Sequence, residues 1–183
     1  MPELPPGGFW NEYALRFAKL TTDVCDERDA KNIHIGDFCD TLRKLKLEAK
    51  PPITEPMINS QGMIFITAGY ETTSNTMGAM MYFLAKNPDV QEKLYEEILD
   101  VVGDDHITYE TIRDLAYLEA SIDETLRMHP PVIAHFRSCV KDCVIKGVPF
   151  KKGTNVQLAI QATHMDPELF PEPEQFKPER FLK

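Results

Sequence analysis

The sequence predicts a mainly α protein with a small β-sheet. Three observations carry this. Glu55 to Lys86 reads as one long segment with apolar residues on nearly every side. Shorter amphipathic segments with cap and stop residues lie before and after it. Beyond Pro130-Pro131 the pattern changes to alternating residues broken by glycine turns, the signal of short strands.

In order, Phe9 to about Arg28 carries Trp10, Tyr13, Leu15, Phe17, Leu20 and Val24 at mostly helical spacing. After a polar break, Asp37 opens a short helix with Phe38, Leu42 and Leu45 expected inward. Glu48 to Pro52 is a loop. The helix from about Glu55 to Lys86 follows, with Met57, Ile58, Met63 to Ile66, Ala68, Met77, Met80, Met81, Phe83 and Leu84 spread around it, as in a helix at the centre of a fold. At 1.5 Å per residue it spans roughly 45 Å, long for a domain of this size, which suggests further sequence to wrap it. Asn87-Pro88 reads as cap and first helical position, and Gly103 as the stop. A turn of helix is expected at Tyr109–Arg113. Ala116 to Met128 forms the next helix, turning Leu118, Ile122 and Leu126 to one side and ending before the double proline. Val144-Ile145 and Val148–Phe150 flank a Lys146-Gly147 turn, and Thr154 to Ile160 alternates with period two. His164 to Lys183, with four prolines, reads as folded but irregular.

The 183 residues are 43% hydrophobic, enough to bury a core, either as one domain or as part of a larger one. Net charge is −9. Residues 87–128 account for all of it, with twelve carboxylates against Lys93, Arg113 and Arg127, and read as solvated helical faces. Such a balance argues against nucleic acid as a partner, since phosphate binding needs a basic footprint. Cys25, Cys39, Cys139 and Cys143 form no CxxC pair and have no histidine spaced to complete a zinc site, so free thiols in a reducing compartment are expected and no metal site is assigned. No apolar run is long enough to span a bilayer, and Met1-Pro2-Glu3 does not open a signal peptide.

Three constellations carry chemistry. Ala68-Gly69-Tyr70-Glu71-Thr72-Thr73 places a carboxylate and two hydroxyls directly after a glycine in an apolar helix. Glycine admits close approach of another group. A threonine hydroxyl can compete for backbone carbonyls and open a bulge that holds water, along which Glu71 and Thr72 would pass a proton. Taken alone, the small residues are better explained by tight packing at a helix crossing. Glu124 and Arg127, three apart, share a helix face, and with Arg180 they would complete a buried ion network that fixes geometry more than it adds stability. Arg137, past the double proline, is placed to hold a ligand carboxylate or simply to face solvent. The five histidines show no HExxH or triad spacing.

Taken together, these residues resemble the cytochrome P-450 superfamily of heme-thiolate monooxygenases, in wording most like the eukaryotic microsomal members. Ala68-Gly69-Tyr70-Glu71-Thr72 resembles the oxygen-activating motif of the family's long central helix. Glu124-x-x-Arg127 is similar to its Glu-x-x-Arg helix, and Phe176-x-Pro178-Glu179-Arg180-Phe181 to the segment that supplies the second arginine. His164-x-Asp166-Pro167 and Pro171-x-Pro173 fit the same pattern. The resemblance implies heme as cofactor, with Ala68, Gly69, Thr72 and Arg137 against it, Arg137 on a propionate. It implies Thr72 as the hydroxyl that holds the oxygen under activation and Glu71 as a proton relay. Thr67 and the loop Val132–Phe136, with Val132, Ile133 and Ala134, would line the substrate pocket. The implied reaction inserts one atom of dioxygen into a lipophilic small molecule, with electrons from NADPH through NADPH-cytochrome reductase.

The chain is expected to be a C-terminal-half fragment of that fold, a partial domain over residues 1–183. The family's cysteine loop would follow the Pro178–Phe181 segment, and none of the four cysteines has its context. The earlier helices and membrane anchor would precede Met1. The complete protein is expected at the cytosolic face of the endoplasmic reticulum membrane, or alternatively in the mitochondrion. This chain alone would be inactive. The other readings are a truncated, non-catalytic product that binds no heme and a helical interaction protein.

Overall fold

The structure, a computed structural model, describes residues 9–103 and 106–182. It is mainly helical with short antiparallel strands, as the sequence predicts. Two compact units divide it, residues 1–71 and 72–183, the boundary falling within the long helix.

The first unit holds helix α1 (Phe9–Lys31), helix α2 (Phe38–Glu48) and the first part of helix α3 (Glu55–Lys86). The side chains of Trp10, Tyr13, Leu15 and Phe17 lie outside the described residues. Asp37 caps α2 by accepting from the Asp40 N–H at 3.2 Å, which satisfies one of the orphan donors of the first turn. Leu42 is buried as expected, but Leu45 is exposed and Arg43 takes the interior position. The cause is electrostatic. Arg43 donates to Asp29, to Asp40 at 2.9 Å and to the Ile33 carbonyl at 2.9 Å, so its guanidinium is answered where a leucine at 45 would meet nothing. Arg28 grips Asp37 with two bonds of 2.7 and 2.8 Å. Gly62 of α3 lies against Thr21 of α1, and Phe38 stacks on Phe65 at 4.6 Å.

The second unit is built around helix α4 (Pro88–Val102) and helix α6 (Ala116–Met128). Val90, Leu94, Tyr117 and Phe176 form its buried apolar cluster, with Phe83 stacked on Phe176 at 5.0 Å. Pro88 stands at the start of α4 as predicted. Asn87 does not cap by its side chain, which turns back to the Phe83 carbonyl at 2.8 Å. Gly103 ends α4 at φ +59°, a conformation that needs no Cβ. Helix α5 (Tyr109–Arg113) begins with a reciprocal Thr108–Thr111 capping box.

Strand β1 (His135–Ser138) pairs antiparallel with β4 (Asn155–Leu158), and β2 (Cys143–Ile145) with β3 (Val148–Phe150) around the Lys146-Gly147 turn. The expected single sheet is therefore two ribbons of two strands. Ile160, assigned to the strand from its alternation, instead opens the short helix α7 (Ile160–His164). The proline-rich end carries one 3₁₀ turn, Pro178–Arg180.

Candidate functional site

Helix α3 is α-helical without interruption from Glu55 to Lys86, so the bulge expected at Gly69 to Thr72 is not formed. Threonine hydroxyls do bond back to carbonyls one turn earlier, Thr67 to Met63 and Thr76 to Thr72 at 2.9 Å. They do so as a second acceptor contact, leaving the helical ladder intact. Thr67, Ala68, Gly69, Tyr70, Glu71 and Thr72 are all exposed, and a Cβ placed on Gly69 would meet nothing within 4 Å. Helical spacing puts Ala68 and Thr72 one turn apart on one face, with Glu71 beside them. As expected of a helix that needs further sequence to wrap it, apolar side chains are left uncovered: Phe65 is 61% and Tyr70 76% exposed, and Ile64, Met77 and Met81 are also exposed.

Arg137 lies on β1 opposite Val156. It is exposed, and among the described residues its guanidinium has one hydrogen bond, to the Phe136 carbonyl at 2.9 Å. Val132 and Ile133 are exposed and Ala134 half-buried, just before that strand. The same segment is anchored where the Ile133 carbonyl accepts the Gln161 N–H at 3.3 Å.

The structure brings Glu124, Arg127 and Arg180 together. Glu124 is fully buried and Arg127 is 2% exposed. Their carboxylate and guanidinium meet in two bonds of 2.7 and 2.8 Å, the bidentate geometry that arginine's planar fork allows. Arg180 Nε donates to Glu124 Oε1 at 3.3 Å, as does the Lys177 N–H at 2.9 Å. Arg127 spends its remaining donors on the carbonyls of His164 and Pro173, both at 2.8 Å, and its guanidinium sits over the Phe170 ring at 5.3 Å. His164 returns a ring nitrogen to the Arg127 carbonyl at 3.1 Å. One ion pair thus ties helix α6 to three successive parts of an irregular segment that has little regular structure of its own.

The buried network expected of Glu124 and Arg127 sets the inward face of α6. Tyr117, Ala120, Ser121, Glu124, Thr125 and Arg127 face inward, whereas Leu118, Ile122 and Leu126 are only half-buried. Ser121 and Thr125 bond back to the carbonyls of Tyr117 and Ser121, so the inward polar face has its hydrogen bonds made.

Sequence reasoning missed two supporting carboxylates. Glu97 of α4 accepts the N–H groups of Tyr117 and Leu118 at 2.6 and 2.9 Å, capping α6 from another helix. It was read as part of a solvated acidic face. Glu179 accepts from Lys93 at 2.6 Å and from the Tyr117 hydroxyl at 3.1 Å. Burial, then that bond to Glu179, pushes the Tyr117 phenol well above its usual range, so it stays a donor. Only the acid at the second position of the Pro178-Glu179-Arg180 motif hinted at such a role.

Cys25 is buried, and burial followed by its neighbour Cys39 pushes its thiol up. Among the described residues no group of three or more histidine, cysteine or acidic side chains could hold a metal. Nor is any described helix long and apolar enough to cross a membrane.

The family model for cytochrome P-450 matches residues 9–183. Among curated relatives, cytochrome P-450 3A41 of Mus musculus is 37% identical over 174 residues, which is 91% of this chain and 34% of the relative. Cytochrome P-450 6a8 of Drosophila melanogaster is 36% identical over 179 residues, 90% of this chain and 35% of the relative. Cytochrome P-450 3A29 of Sus scrofa is 46% identical over 125 residues, 68% and 25% respectively. The chain belongs to the cytochrome P-450 family. It spans about a third of the length of the first two of these relatives.

Proposed function

We propose that the protein containing this chain is a heme-dependent monooxygenase, inserting one atom of dioxygen into a lipophilic organic substrate with electrons from NADPH through a partner reductase. The observation that carries the reading is the stretch 67–72 of α3 in a chain of this family, where small residues on an open helix surface are flanked by a hydroxyl and a carboxylate. In each unit, taken by itself, residues present suit the cofactor. The open space over Gly69 admits a flat group close to the helix backbone, and the Arg137 guanidinium suits a propionate carboxylate. None of the four cysteines suits the iron: Cys25 is buried with its thiol pushed up, its Sγ bonds to the Cys39 carbonyl, and Cys139 and Cys143 engage each other. A thiolate ligand to the iron would therefore not be one of these four, and the chain alone is expected to bind no heme.

When bound, heme supplies dioxygen activation and the oxidising power. The chain's residues supply protons and space. Glu71 and Thr72 are neighbours on the exposed helix surface, and the Thr72 hydroxyl, which both accepts and donates, would pass protons between that carboxylate and a group held over Gly69. Ala68 and Gly69 keep the surface clear. By the family resemblance Thr67 in one unit and Val132, Ile133 and Ala134 in the other would each contribute to the substrate side, and the exposed apolar groups at 132 and 133 favour a lipophilic ligand. The Glu124–Arg127–Arg180 network is positioning machinery, holding the segment 164–180 in place. We place the complete protein at the cytosolic face of the endoplasmic reticulum, with the mitochondrion as the alternative.

Reduced carbon-monoxide difference spectra of the full-length protein test the reading. A thiolate-type Soret band is expected from it and none from the 183-residue chain; a full-length protein without that band overturns the assignment. In the full-length enzyme Thr72→Ala should raise oxygen consumed per product formed, and unchanged coupling would remove Thr72 from the proton path.

A further inference from the structure

Cys139 and Cys143 have no part in the reading above, yet their sulfurs lie 3.6 Å apart. The backbone sets that separation. Cys139 extends the β1–β4 ladder, its N–H donating to the Thr154 carbonyl at 2.9 Å and its carbonyl accepting from Gly153 at 2.7 Å. Cys143 begins β2 and is paired with Phe150 of β3. Each cysteine is therefore anchored in a different ribbon, and only Val140, Lys141 and Asp142 separate them. Asp142 holds that loop by accepting from the Lys152 N–H at 2.8 Å and from Lys151 at 2.9 Å. The Cys139 thiol points at the Lys141 carbonyl 2.9 Å away, within the same loop. Both residues are half-buried and so within reach of a small reagent.

We propose that Cys139 and Cys143 are a modification site, closing reversibly to a disulfide by exchange with a low-molecular-weight disulfide such as oxidised glutathione. The Cys139 thiolate attacks one sulfur of that disulfide and releases one glutathione thiolate, leaving Cys139 in a mixed disulfide. Cys143 then loses its proton to solvent, and its thiolate displaces the second glutathione. Two thiols are oxidised and one small disulfide is reduced to two thiols, so electrons and protons balance. The Cys143 thiol is pushed up by its bond to Cys139 and then by burial, and the first of these causes is lost once Cys139 is in the mixed disulfide. Closure from 3.6 Å to a bond of about 2.05 Å would staple the two ribbons together immediately after Arg137.

The test uses the full-length natural protein in glutathione redox buffer, quenched with acid, alkylated and digested with trypsin. Cleavage after Arg137, Lys141 and Lys146 puts the two cysteines in separate peptides, Ser138–Lys141 and Asp142–Lys146, that stay joined only by the disulfide. The ratio of joined to reduced peptides is expected to be about tenfold higher in the native protein than in urea, a difference of about 30 mV. In Cys143→Ser, Cys139 should be trapped as the glutathione adduct that the wild type resolves. Equal ratios in native protein and urea, or as much adduct in the wild type as in Cys143→Ser, would overturn the proposal.

Discussion

Replacing Glu124 by alanine gives the sharpest test of how the second unit is held. The carboxylate is fully buried and accepts from Arg127 twice, from Arg180, and from the Lys177 N–H. Without it, Arg127 remains 2% exposed, surrounded by carbonyl dipoles from His164, Pro173 and Gln175 but with no anion. Removing one partner of a buried pair costs about 3–5 kcal/mol, and here a backbone N–H is also orphaned. Arg180→Ala should cost far less, about 1 kcal/mol, because that side chain is 15% exposed and its contact is longer, at 3.3 Å. The double change Glu124→Leu with Arg127→Met should recover much of the loss, since it removes both charges and keeps the volume. Urea unfolding of the full-length protein followed by far-ultraviolet circular dichroism measures all three. A Glu124→Ala loss below about 1 kcal/mol, or an Arg180→Ala loss as large as that of Glu124→Ala, would refute the reasoning.

Gly62→Ala should lower the melting temperature, because its Cβ would stand 1.9 Å from Thr21 Oγ1 and 2.6 Å from Thr21 Cβ. The helices must separate, at about 1–3 kcal/mol, more than the helical preference of alanine returns. Gly69→Ala should instead raise stability by about 0.5–1 kcal/mol in thermal melts of this chain while reducing heme-dependent turnover of the full-length enzyme. Gly78→Ala, equally open, should raise stability without that loss. Asp40 gives the acid dependence. The N–H groups of Gly36 and Ile35, with Arg43 and Arg28, hold its carboxyl well below the usual carboxylate range. Its contribution is therefore present above about pH 4 and lost as the pH falls toward the lower folded value. Circular dichroism should show α1–α2 loosening in that range, and Asp40→Asn should flatten the dependence.

Elements with local signals were legible in the sequence, and those decided by partners were not. Helices α3, α5 and α6 begin and end where their caps, prolines and apolar spacing predict. Strand β1 left no alternation to read, because all four of its residues are exposed. The extent of the polar inward face of α6 is hidden in the sequence for a related reason. Hydrophobic spacing favours Leu118, Ile122 and Leu126, but a carboxylate answered by two arginines and a backbone N–H can be buried where a leucine would otherwise be chosen. Arg43 displaced Leu45 from the interior of α2 in the same way. The Glu-x-x-Arg spacing announced that a network existed. It could not show that the carbonyls of residues 164, 173 and 175 would complete it.

The glycines of α3 separate structural from functional demands along one helix. Gly62 is required by its own chain, since Thr21 occupies the space a side chain would need. Gly69 has no such neighbour among the described residues, yet a mid-helix glycine costs about 0.5–1 kcal/mol relative to alanine. Packing among the described residues does not offset that cost. Open space alone does not settle the matter, because Gly78 shares it. Position distinguishes the two: Gly69 stands beside Ala68, Glu71 and Thr72, where a missing side chain would serve a group brought close to a hydroxyl and a carboxylate. The buried network reflects the opposite strategy, with polar groups answered inside the second unit, so that the segment carrying Arg180 is fixed before any ligand binds. If the proposed function holds, rigid, internally satisfied support and a helix surface left open at Gly69 would each serve a reaction that needs a reactive group held still and supplied with protons.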